Sequence, residues 1–235
     1  MQKKIGIVGA MDVEIETLKS LLKNPSEKVE NSLCFTEGIL DGVQVVIVKS
    51  GVGKVNAALC AQILALKYGV THIINTGIAG AMACGLKVLD FVVSTDAVYH
   101  DMDATGFGYK ITEIPQMKCS DFKADEKMIC AAKETFSLLK DGLSHSLVAG
   151  RIATGDQFIS SKEVKAKIKE ACNPACVEME GAAIAHACYL NNVPFVIIRC
   201  MSDMADDFGE KVYDFNEKNA AELSAALVRG MLGRI

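Results

Sequence analysis

The sequence predicts an α/β protein built on a mixed, mostly parallel sheet, and three observations carry that prediction. Apolar runs of strand length alternate along the chain with stretches whose apolar residues recur at helical spacing. A hairpin signal, Asp41-Gly42, makes one strand pair antiparallel, while helical stretches between later runs act as crossovers that keep strands parallel. No Pro/Gly/Ser linker, internal repeat or low-complexity block interrupts the 235 residues, and 50% of them are hydrophobic, enough for a sizeable core. A single domain over residues 1–235, with helices layered on a central sheet as α/β/α, is the expectation.

The first element, Ile5 to Val8, reads as a short buried strand leading into a glycine-containing turn. Val13 to Leu22 then sets Val13, Ile15, Leu18, Leu21 and Leu22 among Glu14, Glu16 and Lys19, as an amphipathic helix does. Cys34 to Leu40 and Val43 to Val48 flank Asp41-Gly42, residues suited to the positive φ of a hairpin turn. Val55 to Tyr68 has helical spacing. His72 to Asn75 reads as a buried strand closed by a small-residue turn, Thr76 to Gly80. Phe91 to Tyr99 is a longer strand and Asp125 to Leu139 a helix. Further strands are expected over Leu147 to Ala153, Val177 to Met179 and Pro194 to Cys200, and helices over Lys162 to Glu170, Gly181 to Leu190 and Phe215 to Leu232.

Composition narrows the partners. A net charge of -4 leaves no basic stripe to neutralise phosphates, which argues against nucleic acid. The nine cysteines are odd in number, scattered and free of C-x-x-C, so they read as reduced thiols used as small core residues. The chain opens directly into an apolar strand, and no apolar stretch reaches membrane-spanning length. A cytoplasmic protein with no membrane partner is expected. The four histidines make no metal pattern with cysteines or carboxylates, and neither G-x-G-x-x-G nor G-x-x-x-x-G-K-[ST] occurs, so no metal or cofactor is implied.

Two segments carry the strongest chemical signal, Cys176 to His186 and Arg199 to Asp206. They set Glu178, Glu180 and Asp203 where hydrophobic strands end, close enough in sequence for an α/β fold to aim them at one pocket. A charge beside a buried strand needs either a partner, for which Arg199 is the candidate, or a function. Glu14, taken alone, reads as a solvated helix carboxylate. Three turns rich in small residues, Gly9 to Glu14, Ser50 to Lys54 and Thr76 to Gly80, offer either free backbone N–H groups to a ligand or tight strand-to-helix packing.

At this point the residues carry a resemblance. GAMDVEI, SGVGKVNAA, INTGIAG, YHDMDATGFGY, ATGDQFI, CVEMEGAAIAH and RCMSDMAD, in this order from Lys4 to about Phe215, resemble the 5′-methylthioadenosine/S-adenosylhomocysteine nucleosidases of the nucleoside phosphorylase superfamily. The resemblance implies a nucleoside phosphorylase-like fold, an active homodimer, and hydrolysis of the N-glycosidic bond of 5′-thio-substituted adenosines. It makes Asp203 the acid that protonates purine N7 and Glu14 the carboxylate that holds the attacking water; in sequence, Ser202 and Arg199 are the neighbours that could orient Asp203. Glu180 would hold the ribose hydroxyls beside the Met179 backbone, with Glu178 in the same substrate-binding group. Phe158 matches the ring that stacks on adenine and the Ile159 backbone the group that reads its edge. Met11, Val52 and Tyr213 match an apolar 5′ pocket, which Phe107 and Pro115 enter from the partner subunit.

The chain also departs from the pattern. Ile78 stands where many relatives carry serine, Ala104 where others carry a larger aliphatic and Tyr213 where others carry phenylalanine. The neighbouring readings are an adenosine-type phosphorylase, a hydrolase of another 5′-modified nucleoside such as aminofutalosine, and a catalytically silent nucleoside-binding protein. Glu14 beside the nucleophile site disfavours phosphate.

Overall fold

The computed structural model describes residues 3–139, 144–206 and 210–235, without the side chains of 210–215. Among the described residues, ten strands form one mixed sheet. β1 (Lys4–Gly9) pairs in parallel with β4 (Val43–Lys49) and β5 (His72–Ala81), and β5 pairs in parallel with β10 (Phe195–Asp203). A second parallel set joins β6 (Phe91–Tyr99), β8 (Leu147–Thr154) and β9 (Cys176–Glu178). Antiparallel pairing is peripheral or short. It covers the meander of β2 (Lys23–Glu30), β3 (Leu33–Leu40) and β4, the two-residue β7 (Phe122–Lys123) on β6, and brief contacts of β10 with β6 and β9 with β5. Those last two contacts close β5, β10, β6, β8 and β9 into a ring, helped by register shifts at Ser94/Ala97 and Met201/Asp203.

The central strands are apolar because both their faces are covered. Ile5, Ile7, Ile47, Ile73 and Ile197 are fully buried. α2 (Lys54–Lys67) packs on α5 (Gly181–Asn191), while α1 (Asp12–Ser20) and α3 (Glu126–Leu139) pack on α6 (Glu210–Met231). α4 (Lys162–Cys172) starts at Ser161, whose hydroxyl accepts the Val164 N–H, and covers a smaller core cluster with Ile168. The Asp41-Gly42 hairpin forms as its residues dictate, with φ of 47° and 88°.

Two features differ from the sequence reading. The stretch Thr76 to Gly80 is no turn; β5 runs through it to Ala81. Its glycines answer a packing demand instead. A Cβ on Gly77 would collide with Glu14 Oε1, and one on Gly80 would lie 2.8 Å from Asp203 Oδ1. β2 was not anticipated, because KNPSEKVE has no apolar alternation. It is an exposed, charged edge strand held by its pairing to β3.

Candidate active site

The C-terminal ends of β1, β5, β9 and β10 converge on one cleft, the kind of concave site at strand ends where α/β folds bind ligands. Each carboxylate in it is set by a different local device. Glu14 lies in the first turn of α1, and its side chain folds back so that Oε2 accepts the N–H groups of Ala10 at 2.6 Å and Met11 at 3.0 Å. Oε1 accepts the Ile78 N–H at 3.2 Å. Far from being solvated, Glu14 is 4% exposed, and burial pushes its carboxyl above the ordinary range despite Arg199 and these three donors.

Glu178 ends β9 and is fully engaged by the protein. Oε1 accepts the Thr154 hydroxyl, and Oε2 accepts the N–H groups of Glu180 at 3.1 Å and Gly181 at 2.7 Å together with the Arg199 guanidinium. Arg199 is held in turn by Asn75 Oδ1 at 2.6 Å, and Asn75 Nδ2 donates to the Val8 carbonyl. Glu180 occupies the N-cap position of α5, where Oε1 accepts the Gly53 N–H at 2.8 Å. Burial, then the Glu178 charge, pushes the Glu180 carboxyl up to about 7. Asp203, at the end of β10, accepts the Ser202 hydroxyl on Oδ2 at 2.8 Å and the Ala205 N–H on Oδ1 at 2.7 Å.

The rest of the lining is apolar. Met11, Val52, Ile78 and Phe158 border the main cleft with Met179, while the buried Ile159 borders an adjoining recess that also touches Asp203. Every ionisable side chain that lines the cleft, among the described residues, is a carboxylate. Such a site repels phosphate and can deliver and receive protons on two sides of a bound molecule.

The comparisons with known proteins agree with this geometry. The family model described as Phosphorylase superfamily matches residues 4–233. The 5′-methylthioadenosine/S-adenosylhomocysteine nucleosidase of Halalkalibacterium halodurans is 41% identical over 233 residues, covering 99% of each chain. The crystal structure of the Colwellia psychrerythraea nucleosidase in complex with adenine superposes with a TM-score of 0.94 at 40% identity, covering 100% of this chain and 96% of that one. The chain belongs to the 5′-methylthioadenosine/S-adenosylhomocysteine nucleosidase family of the phosphorylase superfamily. A futalosine hydrolase of Helicobacter pylori is also similar, with a TM-score of 0.92 and 30% identity, over 99% of this chain and 98% of that one.

Of the residues that resemble the family's site, Glu14, Glu178, Met179, Glu180, Ser202, Asp203, Met11, Val52, Ile78 and Phe158 meet at one cleft, with Ile159 in the recess beside it. Arg199 does not orient Asp203, contrary to expectation. It lies beneath the cleft, where Glu178 and Asn75 take its guanidinium, and Ser202 with the Ala205 N–H supports Asp203 instead. Phe107, on a 3₁₀ turn, and the half-buried Pro115 lie off the cleft of their own chain. The Tyr213 side chain lies outside the described residues. Sequence reasoning missed Thr154, Asn75 and the N–H groups of Gly53 and Ala205. Only Gly53 had a signal, the Ser50 to Lys54 turn, and its N–H is spent on Glu180 rather than left open for an anion.

Proposed function

We propose that this protein hydrolyses the N-glycosidic bond of 5′-methylthioadenosine and S-adenosylhomocysteine, releasing adenine and the 5-thioribose product. Membership of the family makes it an N-glycosyl hydrolase. The observation that carries the mechanism is the pairing of Glu14 and Asp203, two independently supported carboxylates in one cleft lined, among the described residues, by no cation. Cleavage of C1′–N9 builds positive charge on the sugar and negative charge on the departing base. Asp203 gives its proton to purine N7 and so neutralises the base as it leaves. Glu14 holds the water whose oxygen bonds to C1′, and takes the proton that water loses. Burial raises the Glu14 carboxyl, which makes it a better proton acceptor than a solvated glutamate.

Glu180 accepts from the ribose hydroxyls, with the Met179 backbone beside it. Phe158 stacks on adenine and the Ile159 backbone reads the base edge, which distinguishes adenine from hypoxanthine without a charged side chain. Met11 and Val52 enclose the 5′-thioether, in a pocket to which the family resemblance also assigns Tyr213, and Phe107, 88% exposed in one chain, reaches a partner's site with Pro115 in a homodimer. The whole chain acts as one catalytic domain, in the cytoplasm. A second reading, hydrolysis of a 5′-modified nucleoside of the futalosine type, is favoured by the likeness to the Helicobacter pylori hydrolase.

Adenine release from 5′-methylthioadenosine in phosphate-free buffer tests the proposal. Release that phosphate does not accelerate, and that Asp203→Asn lowers by about 10²–10⁴-fold without unfolding, is the expected outcome. A requirement for phosphate would overturn hydrolysis, and preference for aminofutalosine would favour the second reading.

A further inference from the structure

Three of the segments that carry the family resemblance hold ionisable residues that the proposed mechanism leaves idle: Lys54 in SGVGKVNAA, Asp101 in YHDMDATGFGY and Asp156 in ATGDQFI. The fold brings them to one point. Lys54 Nζ lies 2.6 Å from Asp101 Oδ2 and 3.6 Å from Asp156 Oδ2. The Asp156 N–H donates to the same Asp101 oxygen at 3.0 Å, and Asp156 Oδ1 accepts the Lys54 N–H at 2.8 Å. The Lys54 ammonium also stands 5.5 Å over the Tyr99 ring. Burial alone would push the Asp101 carboxyl up, but Lys54 and the Asp156 N–H outweigh it and hold the group below its ordinary value, so Asp101 stays ionised.

Each corner of this node adjoins a group of the cleft. Lys54 follows Gly53, whose N–H donates to Glu180 and whose φ of +99° gives α2 a side-chain-free N-cap. The Asp156 carboxylate supplies the missing acceptor from another loop. Asp156 follows Gly155, whose N–H donates to the Glu178 carbonyl, and lies two residues before Phe158. The Asp101 carboxylate grips both the Lys54 side chain and the backbone of the 155–158 loop.

We propose that Asp101 is a positioning residue, whose carboxylate clamps the Gly53 turn to the 155–158 loop and so fixes the spacing between Glu180 and Phe158. The inference rests on the reading of those two residues as the ribose and base contacts. A nucleoside is a rigid enough body that it needs both contacts at once, whereas free adenine needs only the base contact. Loosening the clamp therefore weakens nucleoside binding selectively.

Asp101→Ala is expected to raise KM for 5′-methylthioadenosine about tenfold while changing inhibition by free adenine less than about threefold. Asp101→Asn, which keeps an acceptor for the Asp156 N–H, recovers part of that loss. Lys54→Met combined with Asp101→Ala costs less than the two single effects together, because both break one contact. An unchanged KM, equal changes for nucleoside and adenine, or strict additivity overturns the clamp. Amide hydrogen exchange reads it without turnover: Asp101→Ala speeds exchange at residues 53–56 and 155–158 together, and unchanged exchange overturns the clamp whatever the substrate. Wild-type protein that releases no adenine would overturn the functional reading alone.

Discussion

Glu178 and Arg199, on the floor of the cleft, are 7% and 1% exposed, whereas Val52 and Phe158 at its rim are 47% and 61% exposed. The floor is a network of ions and hydrogen bonds to which β8, β9, α5, β5 and β10 each contribute a group. The rim consists of apolar side chains with one face in water. A buried charge without its partner is costly, so every floor group is fixed whether or not a ligand is present. An apolar rim loses little by standing open and gains when a nucleoside or second chain covers it. The floor thus spends its rigidity on stability and on aiming carboxylates, and the rim is left to complete recognition.

Breaking the floor is the largest test of this division. Arg199→Met leaves Glu178 with no cation beside two further buried carboxylates, Glu14 and Glu180, and should lower unfolding stability by about 3–5 kcal/mol. Denaturant titration reads it. A loss under about 1 kcal/mol would mean that the backbone donors of α5 and the Thr154 hydroxyl hold Glu178 unaided.

The matching test at the rim is Phe158→Ala. Loss of a base-stacking ring is worth about 1–3 kcal/mol, so KM for the nucleoside should rise about ten- to a hundredfold. Stability should change by no more than about 0.5 kcal/mol, because the ring is largely exposed. Steady-state kinetics and a denaturant titration of the same variant check both halves. A variant destabilised as much as Arg199→Met would erase the distinction between floor and rim.

The same division explains what the sequence made legible. Glu178, Glu180 and Asp203 announced themselves because a charge after a buried strand is conspicuous, and the strands over Phe91 to Tyr99 and Leu147 to Ala153 were plain from apolar runs. Glu14 was not legible alone, since its burial depends on N–H groups at Ala10, Met11 and Ile78, and the last is 64 residues away. The small-residue segments read as possible anion loops because glycine signals close approach without saying to what. In the fold, their N–H groups point at the protein's own carboxylates. Arg199 sits four residues from Asp203 in the sequence, yet only the pairing of β10 with β5 reveals that its partner is Asn75, 124 residues away. Such nonlocal pairings leave no local pattern to read.

Glu180 stands at the boundary between the two regions and offers the finest test. Glu178, Arg199 and Glu14 face it from β9, β10 and α1, and the Gly53 N–H from the turn before α2; burial and the Glu178 charge dominate, raising its carboxyl from 4.5 to about 7. Between those values the folded protein binds more protons than the unfolded chain. Stability from this group is therefore fully present below about 4.5 and is lost as pH rises through about 7. Glutamine cannot ionise, so the melting temperature of Glu180→Gln should gain on that of the wild type as pH rises from 5 to 8. Nucleoside affinity should move the other way in the wild type, because the ionised carboxylate is the stronger acceptor for ribose hydroxyls, and the variant should lose that pH dependence. Parallel melting curves across this range would mean that Glu180 does not titrate there and belongs wholly to the floor. Divergent curves would mean that one ionisation weakens the fold and strengthens the grip on ribose, so that the boundary residue trades stability for binding.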